Sequence, residues 1–335
     1  MEKIEKRVLI VFNTCAPNPG ASTYHWHKTF DNVLRQNLNG FTTATAQVDT
    51  TVDYVISDCM SAANHLSDVR ALAAKAKTAF HGRRACVSLL KVKAGLPVSF
   101  NYACKKMTAL YGHYDYYVMW PSDVYFNDVN SLTNLLAVFD AGDIGIVSPS
   151  NIHDLPLGDG SWAGYSRYDP NGGVVHLPVG AACNGVFLIF GGEMAKKYNY
   201  KPWYDLLQTF CTESMLSFQA AAIKMKWACL LPVKVETAGY GKDGPCLLYR
   251  DTKSGAVIPA HTFNENYDLH KIVEEGYDVG LGFEELHKVH MHNPDCYDGL
   301  FAKTNKLYEY ILKNLYIKTK DFNYNKASNG EFYEI

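Results

Sequence analysis

The sequence predicts an α/β protein, a mostly parallel sheet flanked by helices, with a C-terminal extension. Three observations predict it. Strand-length apolar runs alternate with stretches of helical spacing over the first two-thirds of the chain. The first run, Arg7 to Phe12 (RVLIVF), is continuously apolar after its first residue, as expected for a strand buried on both faces. The 335 residues are 47% hydrophobic and 20% charged, a globular balance rather than a disordered one.

The elements follow in order. After the strand 7–12 comes a turn-rich segment, Asn13 to Gly20, then a helix over Tyr24 to Leu38 with Trp26, Phe30, Val33 and Leu34 at helical spacing. Asp53 to Ile56 is a second strand, ending at Ser57-Asp58. Ala62 to Phe80 is an Ala-rich helix with Leu66, Val69, Leu72 and Ala76 on one face. A strand at Ala85 to Leu90 and a helix at Phe100 to Tyr111 precede a fourth strand, Asp115 to Trp120, which stops at Pro121-Ser122-Asp123. A helix over Val129 to Phe139 leads to a strand at Ile144 to Ser148. His153 to Gly180, rich in Gly, Asp, Pro and Tyr, reads as a long surface loop or short hairpin. Gly185 to Phe190 is again a strand, Glu213 to Trp227 a helix, and Leu230 to Glu236 the last strand of the sheet. Gly239 to Gly282 has weak periodicity, Lys303 to Leu315 is a late helix, and the tail after Lys318 reads as loosely ordered. The division expected is a ligand-binding and catalytic domain at 1–238 and an extension at 239–335 packed on it.

Composition excludes several classes. Lys plus Arg number 32 and Asp plus Glu 34, a formal charge of -2, so the chain is not a general phosphate-backbone binder, and no nucleic-acid partner is expected. No apolar run approaches the ~18 residues of a membrane span. Five apolar residues, Val8 to Phe12, are too few for a secretory signal. The nine cysteines are scattered, with no zinc-knuckle or redox-pair spacing, which points to a reducing, cytoplasmic setting.

Ligands of open α/β sheets bind beyond the carboxyl ends of strands. Asp58 and Asp123 both stand there. Asp123 is placed to hold a hard divalent cation, Mn2+ or Mg2+, against a diphosphate. The alternative is that Asp123 or Asp128 caps the following helix. Asp58 is placed to accept hydrogen bonds from a base or ribose, the alternative being a turn or cap. The Gly-x-Gly-x-x-Gly fingerprint is missing after the first strand and Gly-Lys-Ser/Thr throughout, which disfavours dinucleotide and P-loop chemistry.

Seven segments in order resemble inverting glycosyltransferases of the GT-A fold, the nucleotide-diphospho-sugar transferase fold, and particularly family 2 and its rhamnosyltransferase-like members. They are RVLIVFNTC, FDNVLRQNL, DYVISDCMSAANHLSDVRALA, KAGLPVSFNYACKKM, YYVMWPSDVYFNDVNSLTNLL, GAACNGVFLIFGGEMAKK and FCTESMLSFQAAAIKMKW, spanning about Val8 to Val235. The resemblance implies transfer of a sugar, hexosyl or deoxyhexosyl, from a nucleotide-sugar donor to a glycan or other hydroxyl acceptor. It implies a donor-contacting Thr14, Asp58 and Asn101, a metal-binding Asp123 and a general base at Glu213, on the first turn of its helix. Ser122 stands where the family often has Asp or Asn, and Thr212-Glu213 replaces Glu-Asp. Members often recruit a late histidine to the metal. His287, His290 and His292 form H-x2-H-x-H, followed by Asp295 and Cys296, and His290 or His292 is the expected ligand. Trp120, Trp162 and Tyr165 are the aromatic residues expected beside donor or acceptor.

Two other readings remain open. A sugar nucleotidyltransferase would carry Arg and Lys in the loop after the first strand, and Asn13 to Gly20 has neither. A non-catalytic carbohydrate- or nucleotide-binding protein would keep the fold and lose transfer, and Glu213→Gln separates it from the enzyme.

Overall fold

The computed structural model describes residues 2–16, 19–79, 82–91, 95–151, 173–176, 187–203, 216, 219–220, 223–237, 248–250, 257–259 and 330–335. Strand β1 (Glu2–Thr14) is followed by α1 (Tyr24–Arg35), a short β2 (Phe41–Thr42), β3 (Ala46–Cys59), α2 (Leu66–Lys77), β4 (Gly82–Leu90), α3 (Gly95–Tyr111), β5 (Tyr116–Pro121), β6 (Val124–Tyr125), α4 (Ser131–Ala137) and β7 (Ile144–Asn151). Then come β8 (Val174–His176), β9 (Leu188–Gly191), α5 (Gly192–Lys197), β10 (Lys226–Thr237), the hairpin of β11 (Leu248–Arg250) and β12 (Val257–Pro259), and β13 (Glu331–Glu334). The result is the mixed α/β architecture expected, a central sheet with helices on both faces.

Along the sheet the order is β13-β4-β3-β1-β5-β9-β7-β10-β6, with β2 beside β3 and β8 beside β10. β4, β3, β1 and β5 are mutually parallel, as are β7 and β10. β9 enters antiparallel between β5 and β7. Side chains of β1 alternate between two cores. Val8, Ile10 and Phe12 meet Trp26, Phe30 and Val33 of α1 and Val69, Leu72 and Ala76 of α2. Leu9 and Val11 meet Phe100, Ala103 and Met107 of α3. Both faces are dry, which is why RVLIVF carries no alternation.

Several boundaries differ from the sequence reading, each for a local reason. α3 starts at Gly95, ahead of the expected Phe100, because Pro97 lies in the first turn, where its missing N–H is not needed. Lys226 and Trp227 belong to β10 rather than to the preceding helix. Lys224 takes a left-handed φ of 61°, and the chain leaves that turn extended. The tail is the largest correction. Residues 331–334 are not loose: they pair antiparallel with β4, Glu331 against Leu89 and Glu334 against Cys86. Phe332 packs on the α3 side and Tyr333 on the other. Lys91 pairs with Glu331 at 2.6 Å, and Arg70 Nε donates to Tyr333 Oη at 3.2 Å. The added strand covers the edge of β4, an edge that would otherwise invite another chain. The expected helix 303–315 lies outside the described residues.

The turn from β9 into α5 packs backbone on backbone. A Cβ on Gly192 would stand 2.5 Å from the Tyr114 carbonyl oxygen and 2.8 Å from His113 Nε2. The Gly192 N–H donates to Asp115 O at 2.7 Å, so neither side can retreat without loss. Gly192→Ala is therefore expected to cost about 2 kcal/mol by overpacking, read as a lowered denaturant midpoint with an unchanged slope.

Candidate functional site

From β1 the chain steps outward to β3 and then β4, and β5 returns to the opposite side of β1. The reversal makes the carboxyl ends of β1 and β5 a topological switch point, the place where an open α/β sheet leaves a ligand crevice. Register puts Thr14 beside Asp58 across β1 and β3, and Asn13 beside Pro121 across β1 and β5. The Ser122 N–H donates to Asn13 O at 2.9 Å, tying the turn after β5 to the end of β1. So Thr14, Asp58, Ser122 and Asp123 share one end of adjacent strands.

The two aspartates differ in their surroundings. Asp58 is buried and well supplied with donors: Thr14 Oγ1 at 2.9 Å and Ser61 Oγ at 2.5 Å on Oδ2, and the Ser61 N–H at 3.0 Å on Oδ1. Burial pushes its carboxyl up, against the lowering effect of these bonds. Asp123 is half-buried. Its carboxylate takes a hydrogen bond from its own backbone N–H, and no other described residue supplies one. Burial raises its pKa. Neither Asp123 nor Asp128 caps α4, whose N-cap is Asn130 without a side-chain cap bond; Asp128 Oδ1 accepts from the Asn130 N–H at 2.9 Å in the turn ahead of the helix. Among the described residues, Asp123 therefore keeps a desolvated carboxylate with no donor beyond its own backbone.

Trp120 does not line the crevice. It is fully buried in edge-on contact with Phe126 and Phe187, because it shares the parity of Val118 and faces the core that α1 and α2 cover. Its indole nevertheless spans the turn carrying Asp123, donating from Nε1 to Val124 O at 2.7 Å. Asn101 is brought elsewhere too. It is buried in α3, with Nδ2 donating to Trp203 O at 2.5 Å and Oδ1 accepting from the Trp203 N–H at 3.1 Å. Ser122 is buried at the switch point. Glu213, His290, His292, Trp162 and Tyr165 lie outside the described residues.

Sequence reading missed five participants. Ser61 closes a turn on Asp58, and the Asp-x-x-Ser spacing was the available signal. Asn13 and Ser57 meet Ser99 of α3 beneath the switch point, with Asn13 Nδ2 to Ser99 Oγ at 3.2 Å and Ser57 Oγ to Ser99 Oγ at 2.8 Å. Glu236, at the end of β10, accepts from Tyr125 Oη at 2.6 Å and Asn127 Nδ2 at 2.5 Å. No group of three or more His, Cys, Asp or Glu gathers among the described residues. A divalent ion that also binds phosphate oxygens needs only one or two carboxylates from the protein, and Asp123 fits that part.

Fold and site together define an α/β protein with a topological switch point at the carboxyl ends of β1 and β5 and, beside it, a carboxylate held among the described residues by its own backbone N–H alone. No family model matches the chain, and no curated protein does. Among solved structures it is similar to the mannosyltransferase PcManGT from Pyrobaculum calidifontis in complex with GDP-Man and Mn2+, at 13% identity over 85% of this chain and 69% of that one, TM-score 0.48. It is also similar to GalNAc-T7 with UDP, GalNAc and Mn2+, at 12% identity over 69% of this chain, TM-score 0.47. The match spans 44% of the GalNAc-T7 chain. Identity at this level does not carry chemistry from one chain to another.

Proposed function

We propose that the chain transfers a sugar from a nucleoside-diphosphate sugar to an acceptor hydroxyl. The observation that carries this reading is Asp123: a desolvated carboxylate at the switch point, held among the described residues by its own backbone N–H alone, in a segment that resembles the metal-binding turn of GT-A glycosyltransferases. A divalent cation, Mn2+ or Mg2+, held there would stabilise the charge that develops on the leaving diphosphate. His290 or His292 is the proposed further ligand. Glu213 is proposed to accept the proton of the acceptor hydroxyl as its oxygen bonds to the anomeric carbon. The bond from that carbon to the diphosphate breaks, and the electron pair leaves with the diphosphate. Attack from the face opposite the leaving group inverts the anomeric centre. The family 2 likeness, the hexosyl or deoxyhexosyl substrate and the 1–238 and 239–335 division belong to the same proposal.

Placement in a reducing, cytoplasmic compartment is part of it, supported by the buried thiols of Cys86 and Cys104. Among the described residues no helix is long and apolar enough to cross a membrane.

The test is a thermal-shift screen of nucleoside-diphosphate sugars with and without Mn2+ or Mg2+. A ligand at 100 times its dissociation constant adds about 2.7 kcal/mol, or roughly 4 °C in a chain of this size. One donor is expected to give that shift with metal and little without it. No shift from any donor with either metal overturns the reading.

A further inference from the structure

Asp58 stands where a direct nucleotide contact is expected, yet its carboxylate is closed off. It is 2% exposed, and three donors, from Thr14 and Ser61, already occupy its oxygens. A carboxylate offers about four acceptor sites. The one that remains has almost no surface on which a ligand could settle.

The bonds around Asp58 lead instead into two loops. Thr14 ends β1 and Ser61 follows β3. Ser61 Oγ, besides donating to Asp58, accepts from the Ala16 N–H at 2.8 Å. The Ala62 N–H donates to Ala16 O at 2.9 Å. Asp58 is thus the hub of a relay that binds the backbone after β1 to the backbone after β3. Inside that turn Met60 holds φ at 61°, a left-handed conformation that side chains other than glycine rarely adopt. Its N–H donates to Leu90 O at 3.1 Å, which ties in β4 as well. Strain of this kind persists where the surroundings over-determine it, and it gathers at binding sites. Met60 is 38% exposed, beside the switch point.

We propose that Asp58 is a positioning residue, fixing the two loops through Thr14 and Ser61 so that their backbone, rather than the Asp58 carboxylate, meets a nucleoside diphosphate. The proposal rests on the donor reading above.

The test titrates the parent chain, Asp58→Asn, Ser61→Ala, Ser61→Thr and the Asp58→Asn/Ser61→Ala double variant by calorimetry. The probes are UDP, GDP, ADP, CDP and dTDP with Mn2+, well below each melting temperature so that only folded protein is read. Asp58→Asn and Ser61→Ala are each expected to weaken the preferred diphosphate about tenfold, the scale of lost supporting contacts. The double variant should be no weaker than the weaker single, Ser61→Thr should restore binding, and the order of preference among bases should not change. A purely structural role would lower the melting temperature and leave the affinity of folded protein untouched. Asp58→Asn reordering base preference while Ser61→Ala binds as the parent does would show direct contact and overturn the proposal, as would parental affinity in every variant. If the parent binds none of the five, the donor reading itself fails. Amide exchange then decides the hub on its own: lost protection at Ser61 and Ala16 in Asp58→Asn supports it, and unchanged protection overturns it.

Discussion

Asp123→Asn is expected to raise the melting temperature of the metal-free chain while abolishing metal-dependent donor binding and transfer. The two effects share one cause. The fold desolvates the Asp123 carboxylate and gives it its own backbone N–H and no other described donor, so its pKa rises. An aspartate whose folded pKa lies above its unfolded value favours folding at low pH, and that contribution is lost as pH rises through the folded pKa. At neutral pH the ionised group therefore opposes folding. Asparagine is uncharged at every pH and should recover on the order of 1 kcal/mol, a rise of roughly 1.5 °C. The gain should shrink in acid, where the parent becomes protonated as well. Activity moves the other way. Losing charge stabilisation at the leaving group should lower metal-dependent turnover by about 100-fold or more. Thermal melts at neutral and acid pH, with and without Mn2+, check both halves. A variant less stable than the parent without metal, yet still stabilised by metal and donor, would assign Asp123 a structural role.

The sheet was legible because its central strands are covered on both faces. A dry strand needs a run such as VLIVF or YYVMW, and turns must interrupt such runs. Strand direction was less legible. Nothing in LIFG says that β9 runs antiparallel between β5 and β7, since that depends on where the residues before it lead the chain. β13 was missed because EFYE offers no period: its two aromatics serve opposite faces and its acids find Lys91 and Tyr111 across the sheet edge. At the site, the family resemblance supplied Thr14 and Ser122, and strand-end logic singled out Asp58 and Asp123. It could not tell a satisfied carboxylate from a bare one, because that difference lies in hydroxyls and amides outside the strand. Trp120 shows the converse error: aromatic character at a strand end suggested a sugar platform, while side-chain parity sends the ring into the core.

The opposite end of the same sheet carries the second large effect. Asp53, near the amino end of the dry part of β3, is 2% exposed. Its Oδ2 accepts from Tyr114 Oη at 2.7 Å and Arg84 at 3.2 Å, with Arg7 at 3.5 Å. Each arginine lies over an aromatic ring, Arg7 over Tyr114 at 4.4 Å and Arg84 over Tyr111 at 4.5 Å. Arg7 also donates to the carbonyls of Tyr111 and His113, where α3 ends. Asp53→Ala leaves two guanidiniums, each about a quarter exposed, without the anion between them. Breaking a buried pair from one side costs more than the pair contributes, so a loss of about 3 kcal/mol is expected as a lowered denaturant midpoint. The penalty comes from the orphaned cations, so Asp53→Ala/Arg84→Ala should cost less than the sum of its single variants. Additive losses would mean that the two side chains stabilise the fold independently. Donor affinity of the folded Asp53→Ala protein should match the parent, because Asp53 is tied into the fold at the end of the strand away from the switch point. At both ends a carboxylate is tied into the fold by the donors around it, Asp53 by two guanidiniums and a phenol and Asp58 by two hydroxyls and an amide, whereas Asp123 has its own backbone N–H and no other donor among the described residues.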